Sequence, residues 1–387
     1  MKVEQIYELV NETTKEILGE ESVVAEDLSN IVDIGDEIQN LNKLDNYVKS
    51  LTDHIGRMVF VNRIYSGRVP SVLKDGWEFG AILEKVSMSL PEATENETWE
   101  LEDGASYDPN IFYKPTVTAK FWNKRTTFEI PISITERQVK SAFSNAQQMN
   151  SFVSMIYTGV KNAMTVKVDS LIMRTINNFI ADTVYDEYQG ANINSKSGVR
   201  AVNLLYLFNN RDGHGDVITA SEALESTEFL KFASKQIGLY SDRLGTISKL
   251  FNMGGEARFT PYDKLHLVLH SEFEKGSNVY LQSDTFHNEF TALPNAETVP
   301  FWQGSGTDYS FADTGKVSVD KTADNHTQVV TGVIGVMFDG DALGVTNENP
   351  RVTSNYNPKA EFWSEWHKTD AGYFNDYNEN FVVFFVA

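Results

Sequence analysis

One stretch decides most of what this chain can fold into. From Thr135 to Asp182, apolar residues recur at steps of three and four: Val139, Phe143, Ala146, Met149, Val153, Ile156, Val160, Met164, Val168, Leu171, Ile176 and Phe179. That is the helical period, sustained without a proline. Pro131, in the β-like run FEIPISI, keeps the helix from starting earlier. Thr135 and Gln138 form a capping box, and the pattern runs out near Gly190. At about 1.5 Å per residue the helix reaches roughly 70 Å, whereas ordinary globular helices have about 8–20 residues. The seam lacks a steady heptad and regular opposite charges at its flanks, so a coiled coil does not fit. A bundle member or a structural spine does. Gly159, in mid-helix, costs about 1 kcal/mol against alanine and reads as a bend or a tolerated glycine before it reads as a point of close approach.

The segments around this spine are unequal. Residues 1–60 carry 13 acids against 5 Lys and Arg and read as three short amphipathic helices. Such pieces bury little by themselves, so they read as an arm laid on a later core or on a neighbouring chain. GAILEKVSMSL then alternates as a strand, and KPTVTAKFWNKRTTFEIPISI returns as strands. Between them, PEATENETWELEDGASYDPN carries seven acids and no base. A loop longer than about 12–15 residues is usually functional or disordered. The run of charge alone reads as a solvated surface loop. Trp99, Tyr107, Ile111, Phe112 and Tyr113 are too apolar for a loop that meets only water.

Beyond the spine, GANINSKSG is a linker and VRAVNLLYLFNN reads as a helix. SEALESTEFLKFASKQIGLYSDRLGTISKLFN reads as two helices capped at Ser221 or Thr227. LHLVLHSEF alternates as a strand, and VYLQSDTFHNEF reads as strand or loop. TQVVTGVIGVMFDGDALGV is a buried strand ending in a turn. NENPRVTSNYNPKAEFWSEWHKTDAGYF reads as a loop, and NENFVVFFVA as a final strand, tied down rather than a tail.

Chemistry is sparse. There is no cysteine, which excludes disulfides, thiolate catalysis and Cys-ligated zinc. No apolar run is long enough to span a membrane, and the first residues lack a secretory core. A formal charge of −21 is the wrong sign for direct, sequence-reading DNA binding. His266 and His270 have HxxxH spacing, but the alternation around them favours a strand with polar outer positions. NNRDGHGD, set in a calcium-loop register, places Ser221 where the bidentate Glu belongs and reads as a polar turn. Walker, GxSxG and GxGxxG motifs are absent. With 54 carboxylates a two-carboxylate hydrolase stays open, as does a carbohydrate-binding protein, but nothing selects a pair.

The order of parts resembles the tailed-bacteriophage major capsid proteins of the Hong Kong 97-type fold. LDNYVKSLTDHIGRMVF, EFGAILEKVSM, KPTVTAKFW, QVKSAFSNAQQMNSFVSMIYTGVKNAMTVKVDSLIMRTINNFIA, YLQSDTFHNEF and YFNDYNENFVVFFVA are similar to stretches of capsid proteins from phages of low-GC Gram-positive bacteria. The resemblance implies an α+β chain: an N-terminal arm over 1–66, an E-loop with flanking strands over 67–134, and a spine helix of the peripheral domain over 135–190. An axial domain would fill 191–330, with a return to the peripheral domain over 331–387. It also implies self-assembly into hexamers and pentamers of an icosahedral head around double-stranded DNA, with scaffolding and portal proteins as partners. The chain would be a virion component assembled in the host bacterial cytoplasm, with no enzyme activity, cofactor, metal or membrane. An encapsulin-like shell is the nearest alternative.

Within that reading, the acids Glu95, Glu97, Glu100, Glu102 and Asp103 are candidates to dock on bases of the next subunit. The candidate bases are Lys114, Lys120, Lys124, Arg125, Arg137 and Lys140. Exposed ion pairs contribute only about 0–1 kcal/mol each. Trp99, Phe112, Tyr113 and Trp122 would supply most of the interface energy.

Overall fold

The computed structural model describes residues 11, 13–15, 69–74, 83–91, 93–95, 103–104, 106, 108, 110–123, 125–135, 146–212, 217–282, 296–302, 315–321 and 326–387. The N-terminal arm expected over 1–66 lies almost wholly outside the described residues. So does the NNRDGHGD turn beyond Asp212. The chain forms two compact units. One comprises Met1–Gly76, Arg125–Met173 and Val345–Gly372; the other comprises Trp77–Lys124, Arg174–Gly344 and Tyr373–Ala387.

The long helix is present as Ala146–Tyr188, 43 residues without interruption. Of the periodic positions, Val160, Met164, Val168, Leu171, Ile176 and Phe179 are all buried. The helix ends where Gln189 and Gly190 turn to positive φ, a conformation glycine adopts without strain. Its start differs from the expectation. Thr135 is no cap: it is the last residue of strand Arg125–Thr135 and pairs with Phe362. The FEIPISI alternation carries the ladder up to the residue that composition alone offers as a cap. The helix continues through Gly159, and a Cβ built there would meet nothing within 4 Å.

In the first unit, a four-stranded sheet runs in the order Leu73–Lys74, Leu343–Asn357, Phe362–Asn375, Arg125–Thr135. Its two long central strands correct the loop expected over NENPRVTSNYNPKAEFWSEWHKTDAGYF. They form a hairpin, with Thr346 bonded to Gly372 and Arg351 to Asp370. Asn349 has positive φ beside Pro350. Leu343–Asn357 is paired to Leu73–Lys74 only at Val345 and Thr346, so the proline falls where the strand is an edge among the described residues, and there a missing N–H is tolerated.

In the second unit, a five-stranded sheet runs Ala201–Asn203, Phe381–Phe385, Val333–Asp339, Leu265–His270, Ala296–Val299. Every residue of Phe381–Phe385 is buried, so both faces of the sheet are covered there. Val382 and Phe384 enter a core with Phe208, Phe229 and Phe273, from helices Leu204–Asn209, Thr227–Leu244 and Ser271–Gln282. On the other face Phe381 stacks on Phe179 at 4.0 Å. Each such ring contributes about 1.5–3 kcal/mol by leaving water.

Several local expectations are corrected. VYLQ continues a helix to Gln282, favoured by Glu272 and Glu274 in its first turn. VRAVN opens as strand Ala201–Asn203, and Asn203 then caps the helix by accepting from the Tyr206 N–H at 3.0 Å. The helix caps are Thr219, boxed by Glu222, and Ser226, which accepts from the Phe229 N–H. TQVVTGVIGVMFD is two strands, broken at Gly332, whose φ is +65°. A Cβ on Gly332 would lie 2.0 Å from the Val386 carbonyl oxygen. His270 is buried, its Nε2 3.1 Å from the Pro300 carbonyl oxygen, so it is no outer position of its strand.

Candidate functional site

Strands Leu83–Met88 and Val117–Trp122 pair antiparallel, as the sequence predicts, and the acidic excursion joins them. Side chains alternate across a strand, so the register sorts the hairpin into two faces. One holds Leu83, Lys85 and Ser87 opposite Trp122, Lys120 and Thr118. The other holds Glu84, Val86 and Met88 opposite Phe121, Ala119 and Val117. The usual arrangement is reversed. The face with two lysines is the sheltered one, and the face with Val86, Met88, Val117 and Phe121 is exposed.

Lys85 and Lys120 are direct cross-strand partners, a placement that repulsion disfavours. Asp376 resolves it: its carboxylate accepts from Lys85 at 2.9 Å and from Lys120 at 2.8 Å, and its side chain is only 3% exposed. Glu379 accepts from Lys85 at 2.7 Å and lies 3.5 Å from Arg258. Trp122 rests on Phe374, ring centres 5.3 Å apart. The turn that presents both acids is fixed by the Asp376 N–H donating to Ala342 and the Asn378 N–H donating to Asp376.

Electrostatics follow from this packing. Burial works against an ionised Asp376, but the bonds from Lys120 and Lys85 outweigh it and hold the carboxyl below its ordinary 3.8. Burial would also lower Lys85, and the bonds from Glu379 and Asp376 instead hold its ammonium above 10.5. Glu379 goes the other way: burial pushes it above 4.5, and Lys85 offsets this only in part.

The predicted interface residues sort as follows. Phe112 and Tyr113 are 85% and 82% exposed, and Leu90 and Ile111 are exposed too. Glu95, Asp103 and Lys114 are exposed. Lys120 and Trp122 are engaged within the chain, as is Arg125, 3.4 Å from Glu348. Glu97, Trp99, Glu100, Glu102, Lys124, Arg137 and Lys140 lie outside the described residues. Sequence reasoning missed Lys85, Asp376 and Glu379. The available signal was YFNDYNENF, two acids without a base beside a wholly apolar strand. Among the described residues there is no cluster of His, Asp and Glu able to hold a metal ion, and no helix long and apolar enough to cross a membrane.

A long helix, a sheet buried on both faces and a hairpin that turns Val86, Met88, Val117 and Phe121 outward make an α+β architecture, the Hong Kong 97-like fold of tailed-phage capsid proteins. The chain belongs to the Phi29-like phage major capsid proteins, whose family model matches residues 10–385. The major capsid protein of Bacillus phage GA-1 is 23% identical over 148 residues, 36% of this chain. The match spans only 29% of that relative's length. Among solved structures, one of the head fiber and inner core protein gp22 of native bacteriophage P68 is similar in fold, with a TM-score of 0.52 and 12% identity, over 83% of this chain and 85% of that one. The capsid structure of Staphylococcus phage Andhra gives 0.48 at 10% identity, over 84% of each chain.

Proposed function

We propose that this chain is the repeating subunit of an icosahedral head shell. It associates with itself into hexamers and pentamers, enclosing double-stranded DNA without reading its sequence. Scaffolding and portal proteins are its partners, and it assembles in the host bacterial cytoplasm. It carries out no catalysis and takes no cofactor. The observation that carries this reading is the inverted hairpin: a strand pair fastened by its charged face leaves its apolar face for another chain. Phe112 and Tyr113 extend that surface as aromatic anchors of the kind that dominate interfaces. Glu95, Glu97, Glu100, Glu102 and Asp103 then meet bases of the neighbour. Lys114, Lys124, Arg137 and Lys140 are the candidates, since Lys120 and Arg125 already have partners in their own chain.

The sheet pairing also supports a revised allotment of parts. Strands Val333–Asp339 and Phe381–Phe385 complete the sheet begun at Ala201 and so join the axial role proposed for 191–330. Val345–Gly372 takes the peripheral role with the first part of the long helix. Contacts of this kind are heterologous and close into rings.

The deciding measurement is particle mass by light scattering with negative-stain imaging. Shells, tubes or free rings are expected. A chain that stays monomeric when its scaffold is co-expressed would overturn the proposal.

A further inference from the structure

A second exposed apolar surface lies away from the hairpin. Ile247, Leu250, Phe259 and Tyr262 are 51–63% exposed. Ser248 and Arg258 exchange two backbone hydrogen bonds, at 2.9 and 3.0 Å, which sets Ile247 opposite Phe259. The loop that carries them is held rigidly. The Asn252 side chain bonds both the N–H and the carbonyl of Glu256, and Phe251 is buried, its carbonyl accepting from the Phe381 N–H. The Gly254 N–H donates to the Tyr377 carbonyl. A loop pre-organised in this way loses little freedom on docking.

We propose that the loop from Ile247 to Tyr262 is a second self-association surface, occupied by another copy of this chain. Two observations select that occupant. The loop and the hairpin share one anchor, because Glu379 pairs with Arg258 of the loop and with Lys85 of the hairpin. The two apolar surfaces are therefore held in fixed register on one body, as a subunit needs when its neighbours contact it at two places. The rim is also mixed in sign, with Asp242, Arg243, Lys249 and Asp263 exposed. Such a rim complements another copy of itself, whereas nucleic acid selects a single basic sign.

The inference rests on the shell reading, and its test separates the two. The full chain is compared with L250E/F259E by light scattering and imaging, alone and with its scaffold co-expressed. The variant is expected to keep the wild-type thermal midpoint and to yield about tenfold fewer assembled particles, or none. L250S/F259S guards against misfolding caused by added charge and is expected to lose assembly as well. Wild-type yields from both variants would overturn the surface and leave the shell reading standing. An equal loss from V329E, an added charge on another exposed strand, would also overturn it. A wild-type chain that forms no particles in either setting overturns the shell reading and this inference with it.

Discussion

The hairpin of Leu83–Met88 with Val117–Trp122 and the longer one of Leu343–Asn357 with Phe362–Asn375 are both antiparallel and both alternate, yet they turn opposite faces outward. On the long hairpin the exposed side chains of Leu343–Asn357 are polar: Asn347, Asn349, Arg351, Thr353, Asn355 and Asn357. Arg351 donates to both oxygens of Asp370, at 2.7 and 3.1 Å, Thr127 adds a third bond, and Lys368 meets Glu129 of the neighbouring strand. Trp363, Glu365, His367, Thr369 and Ala371 face inward and are buried. On the short hairpin the two lysines are sheltered, while Val86, Met88, Val117 and Phe121 are exposed. A matched polar surface is at rest in water. An apolar surface fastened from behind by half-buried ion pairs is, in the proposed shell, the one that meets a partner.

The strongest way to break this contrast is V86E/F121E, which places charge on the exposed apolar face. Assembly is expected to fall at least tenfold, read by sedimentation, with circular dichroism unchanged. Next in size is D376N, which leaves Lys85 and Lys120 facing each other without their shared counter-charge. Breaking a wholly buried pair costs about 3–5 kcal/mol. Both lysines are partly exposed, so a loss of about 2 kcal/mol is expected, read in urea unfolding, with the hairpin becoming the first site of proteolysis. Acid probes the same anchor more gently. Asp376 is depressed in the folded chain, so its contribution is complete above about pH 3.8 and fades as pH falls through its lower folded value. Glu379, raised above 4.5, takes up its proton first, and because its folded value is the higher one that step costs no stability. Hairpin protection from protease should therefore decline only below pH 3.8, and a decline near pH 6 would rule out Asp376 as the anchor. The smallest effect belongs to the long hairpin: R351A removes an exposed pair and should cost at most about 1 kcal/mol.

Much of this was legible in the sequence. The helical period marked the spine because burial at Val160, Met164, Val168 and Leu171 repeats every turn. The short hairpin was legible from its two alternating runs, and Phe381–Phe385 from its unbroken apolar composition. The long hairpin was not. NENPRVTSNYN is rich in residues that favour turns, and its strand state comes from pairing across the sheet rather than from local preference. The face that each hairpin hides was equally invisible, since alternation fixes two faces without saying which is covered. That choice is made by Asp376 and Glu379, more than 250 residues beyond the strands they hold.

The position of Phe381–Phe385 gives synthesis a direction that matters. The strand sits between Ala201–Asn203 and Val333–Asp339, so the strand that joins one edge to the rest of the sheet emerges about 180 residues after that edge. At roughly 5–20 residues per second, ribosomes take about 10–40 s to cover that interval. Until then the flanking strands have no common neighbour, and the hairpin has neither carboxylate to fasten it. A nascent chain therefore cannot hold the hairpin in its finished orientation until the turn that carries Asp376 and Glu379 has been made.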